Sequence, residues 1–291
     1  MNPVLLTGAS GFLGRRLQRA LRDSGLRVQT LGRHANNDHV WTAPAPPDPA
    51  WLEGASAMVH LAAYLPPCFD DPDEAAECLK VNAIGTLALF QAAAAAGVPH
   101  GVYVSSGNVY QPGQPTPEDA AVFPDHRGST YLASKFLGEV WASHASRATG
   151  MTLTIVRPSA IYGPHMKGGV VRVFVDRLRH GEPIVLEDGG RFRSDLVFVD
   201  DVVRALQRIL QLRAQGIFNV GSGESTSVHT LAATLVDLIG VFPEAIRTLP
   251  ADDGPSSGFA TLDIARARKE LDLSPTPLSV GLGRLLAEEA S

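Results

Sequence analysis

Two cysteines in 291 residues, Cys68 and Cys78, are too few for a disulfide framework, and neither sits in a C-x-x-C or Cys/His cluster that would hold zinc. A reducing cytoplasm is the compartment this usage predicts. An excess of cations is missing as well. Lys+Arg total 25 against 30 Asp+Glu, and the net charge of -5 offers no footprint for nucleic acid or an anionic membrane. Any anion must be met locally. No apolar run reaches the roughly 20 residues that span a bilayer, and the strand pattern at Val4 follows the amino terminus without a basic region or cleavage site. Neither export nor membrane insertion is expected. No internal repeat is visible. With 45% hydrophobic and 19% charged residues, the composition is that of a folded globular chain.

Short apolar runs at Val4–Leu6, Val28–Leu31, Ala57–Leu61, Val102–Ser105 and Leu153–Val156 have the length of buried parallel strands. Longer segments with helical spacing lie between them, the clearest being 14–24, 73–96 (ending in the alanine run 92–96) and 131–149. Alternating β and α units predict an α/β fold with a doubly wound parallel sheet of the Rossmann type over residues 1–160. The proline cluster 44–49 breaks this as a surface loop. After Pro158 the pattern becomes glycine-rich and irregular, with helices at 202–213 and 228–239, a short strand at 217–220 and a loop composition at 251–257. Residues 161–194 and 216–291 therefore read as a smaller substrate-binding part, with 195–215 returning to the first domain.

Thr7-Gly8-Ala9-Ser10-Gly11-Phe12-Leu13-Gly14 falls between the first strand and the first helix. There the chain must turn tightly and let a pyrophosphate approach the helix N-terminus, so Gly8, Ser10, Gly11, Phe12, Leu13 and Gly14 are candidate dinucleotide contacts. An acidic residue at the end of the second strand would accept the ribose 2'-hydroxyl of NAD; this chain has Gly32-Arg33-His34. A small residue followed by a cation suits a 2'-phosphate. Arg33 therefore favours NADP over NAD.

Tyr131 and Lys135 stand at i and i+4 on one helical face, and Ser106 follows a strand end, where open α/β sheets bind ligands. A phenol with a reference pKa near 10 works poorly at neutral pH, but a neighbouring ammonium is expected to bring it down. Ser106 can hydrogen-bond the substrate oxygen that gains or loses the proton.

These motifs together resemble the extended short-chain dehydrogenase/reductases, in the NAD-dependent epimerase/dehydratase branch that is UDP-galactose 4-epimerase-like. Residues 7–14 match the nucleotide loop, Val59-His60-Leu61-Ala62-Ala63 the strand beside the cofactor, and Val81-Asn82-Ala83-Ile84-Gly85-Thr86 a supporting helix motif. Arg157-Pro158, Tyr162-Gly163-Pro164, Asp195–Asp201 and Phe218–Gly223 follow in the family's order. The resemblance implies Ser106, Tyr131 and Lys135 as the catalytic set. It implies Leu61, Ala62, Ala63, Asn82, Tyr131, Lys135 and Pro158 beside an NAD(P) cofactor. It also implies a small-molecule substrate and a homodimer paired through 73–96 and 131–149.

Departures from the family pattern narrow the chemistry. Ser194 stands where nucleotide-sugar members carry a diphosphate-binding arginine, with Arg193 one residue off. Pro250-Ala251-Asp252-Asp253 replaces a second such arginine. Arg172, Arg177, Arg191 and Arg193 are the cations that could compensate. The Asp-Glu pair of the sugar 4,6-dehydratases is absent, its places held by Gly107 and Asn108, so elimination of water lacks its acid and base. Reduction of a ketone on a sugar or sugar-like molecule is the activity expected, with epimerisation through a transient 4-ketone as the alternative. A non-catalytic NADP-binding regulator is the alternative outside enzymes. Tyr64, Leu65, Pro66, Tyr162 and His165 are candidate pocket residues.

Overall fold

The computed structural model describes residues 2–68, 71–111, 116–122, 129–251, 254 and 257–290, so that Asp252 and Asp253 of the sequence landmarks lie outside the described residues. The strands are β1 (Val4–Thr7), β2 (Val28–Gly32), β3 (His39–Val40), β4 (Ala57–His60), β5 (His100–Val104), β6 (Thr152–Pro158), β7 (Ala160–Tyr162), β8 (Ile184–Leu186), β9 (Arg193–Ser194), β10 (Leu196–Phe198), β11 (Gly216–Val220), β12 (Thr226–Ser227) and β13 (Ile246–Thr248). The helices are α1 (Phe12–Asp23), α2 (Ala75–Cys78), α3 (Gly85–Ala95), α4 (Thr130–Thr149), α5 (Val170–Arg179), α6 (Val199–Leu212), α7 (Val228–Ile239), α8 (Ala265–Leu271) and α9 (Leu278–Glu288). A wider π turn, Leu79–Ile84, joins α2 to α3.

Seven parallel strands form the central sheet in the order β11-β6-β5-β4-β1-β2-β3. Every residue of β1, β4 and β5 is buried, which is why these strands read as unbroken apolar runs rather than alternating ones. Helices α1 and α6 cover one face and α3 and α4 the other. The strand order reverses at the β1/β4 boundary, and the crevice beyond their carboxyl ends is where sheets of this kind take ligands.

A second apolar core, separate from those on the two faces of the sheet, gathers Phe174, Val175, Ile184, Leu196, Leu231, Leu235 and Leu282 from α5, α7, α9 and short strand pairs. The strand β11 does not belong to it. Pairing of 216–220 with β6 makes β11 the edge strand of the main sheet, and α8 packs behind it with the Arg266 guanidinium 4.2 Å over the Phe218 ring. The boundary drawn at 216 is corrected accordingly. A five-residue strand whose partner lies some 60 residues earlier leaves no local signal of where it pairs.

Residues Pro72–Ala95 form a helical stretch long and apolar enough to cross a membrane by length and composition, because alanines raise its mean without a long unbroken run. Close to half of it is buried within the fold, against α4. The contact is close. A Cβ on Gly138 of α4 would collide with the phenol of Tyr103 and stand 3.0 Å from the Asn82 carbonyl, so glycine is what lets α4 reach β5 and the π turn. A second tie is the buried ion pair of Glu139 on α4 with Arg157 on β6, bidentate at 2.6 and 3.0 Å.

Candidate active site

Between β1 and α1 the loop folds as its glycines require. Gly8 takes φ +71, and a Cβ there would stand 2.7 Å from the Ala62 nitrogen, while one on Gly14 would run into the Gly8 carbonyl. Gly11 precedes α1 without a side-chain cap, leaving the first-turn N–H groups of Phe12, Leu13 and Gly14 for an anion. The cradle fits a pyrophosphate. Leu61 and Ala62 lie across from it, their N–H groups donating to the Thr7 carbonyl (3.4 Å) and hydroxyl (3.2 Å).

At the end of β2 the space beside Gly32 is filled by Asn37, whose amide stands 3.0 Å from where a Cβ would be and donates to the His34 carbonyl at 2.8 Å. Asp38, the first acid after β2, is occupied in accepting from the nitrogen and hydroxyl of Thr30 at 2.8 and 2.9 Å. A cavity of about 210 Å³ opens here, lined by Ser10, Arg15, Gln18, Thr30, Asn36 and Asn37. Arg33 lies outside that lining, exposed, with Nε 3.4 Å from His34 Nε2. Arg15 is the cation that lines it, a role that adjacency to β2 could not have pointed to.

Ser106 follows β5 and opens a single turn, 107–109, with its hydroxyl accepting from the Asn108 nitrogen at 3.2 Å. This turn packs against α4. Because α4 connects two parallel strands, its first turn lies at their carboxyl edge, which brings Tyr131 and Lys135 to the side of the sheet where Ser106 stands. Lys135 is 2% exposed, its ammonium 4.5 Å from the Tyr103 ring centroid, and the Tyr103 hydroxyl donates to the Lys135 carbonyl at 3.1 Å. Asn82 joins the same assembly, donating to Ser134 Oγ at 3.0 Å and to the Tyr64 carbonyl at 3.0 Å while accepting from the Tyr64 nitrogen at 2.6 Å.

The electrostatics differ from those expected from spacing. Burial, with a smaller contribution from the Cys78 thiol, pushes the Tyr131 phenol up to about 12 rather than down. Burial likewise lowers the Lys135 ammonium to about 7, against a smaller opposing pull from Glu139. Desolvation exceeds the ion pairing that the i, i+4 spacing predicted. For Lys135 the opposing charge is Glu139. Glu139 was findable, being one further helical turn along the face that carries Tyr131 and Lys135.

Among the other candidates, Tyr64 is half-buried with its hydroxyl donating to Glu74 at 2.5 Å, and Leu65 is exposed. Tyr162 is no pocket residue: it is buried in the second core, its hydroxyl 3.4 Å from the Leu278 carbonyl. His165 is exposed near Glu288, with its N–H on Glu289. Pro158 ends β6, and its carbonyl stands 3.0 Å from where a Cβ on Gly107 would be, with Leu262 closer at 2.8 Å. A carboxylate side chain has no room at 107. The compensating arginines are already engaged: Arg172 with Asp176 and Glu289, Arg177 with the Pro183 carbonyl and Glu182, Arg191 with Asp188, Arg193 with Ser225.

The Lys135 shift makes a stability prediction. A lysine whose folded value lies near 7, below the 10.5 of the solvated group, opposes folding fully at and below pH 7, and the penalty fades as pH climbs toward 10.5. Lys135→Met keeps the volume without the charge. In urea titrations without cofactor this variant should be more stable than the native chain by a few kcal/mol at pH 6–7, at about 1.4 kcal/mol per pKa unit, and lose that advantage by about pH 10.

Comparison with known proteins agrees with this architecture. A UDP-glucose 4-epimerase of Mycolicibacterium smegmatis is 34% identical over 94% of this chain and 93% of its own. A dTDP-4-dehydro-6-deoxy-D-allose reductase of Streptomyces bikiniensis is 29% identical over 96% and 93%. The solved structure of Thermus thermophilus UDP-glucose 4-epimerase in complex with NAD superimposes with a TM-score of 0.81 at 26% identity, covering 99% of this chain and 98% of that one. A model of the NAD dependent epimerase/dehydratase family matches residues 4–221. With the glycine cradle at the strand-order reversal and the Tyr131/Lys135 helix beside it, the chain belongs to the NAD dependent epimerase/dehydratase family.

Proposed function

We propose that this enzyme reduces a ketone on a sugar or sugar-like small molecule, using NADPH in preference to NADH. Bound in the glycine cradle, a nicotinamide dinucleotide supplies the hydride. Ser106 holds the substrate carbonyl oxygen, Tyr131 delivers the proton to it, and Lys135 orients the cofactor ribose and stabilises the phenolate left behind. The observation that carries this reading is the carboxyl-edge placement of Ser106, Tyr131 and Lys135 with no carboxylate at 107 or 108, which favours carbonyl chemistry over elimination. Nucleotide-sugar relatives support a sugar-like substrate. The arginines already tied to other partners disfavour a diphosphate. Epimerisation through a transient ketone is the second reading, and the 34% identity to a UDP-glucose 4-epimerase favours it.

The NADP preference rests on the missing acid at Gly32, on Arg33 next to it in the chain, and on Arg15, which lines the cavity at the end of β2. The subunit is further proposed to pair as a homodimer, since Leu79, Ile84, Leu137 and Val140 are exposed apolar residues on the stretch 72–95 and on α4.

Tyr131→Phe should bind cofactor normally and lose roughly 10² to 10⁴ in turnover against the active member of a panel of 4-keto nucleotide sugars, free keto-sugars and simple ketones. An unchanged rate would refute the proton role, while epimer interconversion without net cofactor oxidation would select the second reading. For the cofactor, calorimetry of Arg33→Ala should show roughly ten- to a hundredfold weaker NADPH binding with NADH little changed. Equal losses for both would remove the 2'-phosphate contact. Sedimentation at micromolar concentration should give a dimer, and Leu137→Glu with Val140→Glu a monomer; a native monomer rejects the pairing.

A further inference from the structure

His60, the last residue of β4, is 1% exposed and ringed by Trp41, Phe90 and Tyr103. Its Nδ1 lies 2.6 Å from the Thr7 hydroxyl and its Nε2 3.0 Å from the Thr86 hydroxyl. Each hydroxyl has a single proton to give. Thr86 donates its own to the Asn82 carbonyl at 2.7 Å, so toward His60 it can only accept, and Nε2 must carry hydrogen. Thr7 accepts from the Ala62 N–H at 3.2 Å and is left to donate to Nδ1. The chain of donors runs one way, from the Ala62 N–H through Thr7, His60 and Thr86 to the Asn82 carbonyl. A second proton on the imidazole would take from the Thr7 hydroxyl the acceptor that Nδ1 offers it. Burial, with the nearby Lys135 charge, lowers His60 to about 3, which agrees with the neutral ring this polarity requires.

Both ends of the chain lie in the candidate site. Ala62 is the backbone against which Gly8 packs in the cofactor loop. Asn82 sits in the π turn 79–84, a helical irregularity frequent at functional sites, and its side chain holds Tyr64 and Ser134. Ser134 in turn donates to the Tyr131 carbonyl at 2.7 Å.

We propose that His60, as its Nε2–H tautomer, is a positioning residue that locks the cofactor-loop strand to Asn82 and so sets where the Tyr131/Lys135 helix stands. Its consequence for rate rests on the hydride-transfer reading; its geometry does not. Thr86→Val removes the acceptor at one link with almost no change of volume, and His60→Leu removes the centre.

Two readouts need no substrate. Nitrogen-15 NMR should show His60 with hydrogen on Nε2 and none on Nδ1 from pH 5 to 9. Hydrogen exchange at the Tyr64 amide, two links from the substitution, should quicken by roughly tenfold or more in Thr86→Val, beyond any change in global stability measured by urea. With the panel's active carbonyl, His60→Leu and Thr86→Val should each lower kcat roughly ten- to a hundredfold, while cofactor Kd stays within about threefold. The double variant should be no worse than the poorer single. His60→Gln, which keeps an N–H toward Thr86, should recover much of the loss. A proton on Nδ1, unchanged Tyr64 exchange, or rate losses that simply add would overturn the proposal. If no panel member is turned over, the hydride-transfer reading fails, and the NMR and exchange results decide the chain on their own.

Discussion

The arrangement of the site depends on one burial: an ammonium taken out of water and set over the ring of Tyr103, where α4 crosses β5. Solvation of a lysine is expensive to give up, and what offsets it here is the face of the ring and the field of Glu139. The close approach that makes the burial possible comes from Gly138, since any larger residue would hold the helix off the Tyr103 hydroxyl. The bidentate Glu139–Arg157 pair then fixes the helix to the neighbouring strand β6. Tyr131 lies on the same helix, one turn from Lys135 and about two from Gly138 and Glu139.

Burial favours the neutral form of both Tyr131 and Lys135. Tyr131 stands near 12 and Lys135 near 7, so at neutral pH the phenol keeps its proton and the ammonium is partly discharged. A ligand accepting hydrogen bonds from Lys135 would favour its charged form and, through it, a lower value for the phenol.

The glycine loop, the buried strands and the Tyr131/Lys135 spacing were legible because each depends on residues close in sequence: a turn that only glycine can make, unbroken apolar runs, two side chains one helical turn apart. What was illegible depends on chain segments meeting from far away. Arg15 comes from α1 to line the cavity beside Thr30 and Asn37, β11 joins β6 across some 60 residues, and Tyr162 goes into the second core despite its place in a loop motif. The sign of the Tyr131 shift belongs to the same class, since spacing reports that a cation is near and says nothing of how much water the packing removes.

The buried ammonium can be observed directly. The chain has four lysines, Lys80, Lys135, Lys167 and Lys269, so carbon-13 labelling at Cε gives a spectrum in which Lys135 is assignable by its absence in Lys135→Met. Titrated without cofactor, Lys135 should lose its proton near pH 7, well below the 10.5 of a solvated lysine. A midpoint for Lys135 close to 10.5 would mean that the ammonium is solvated and that the site is not built around its burial.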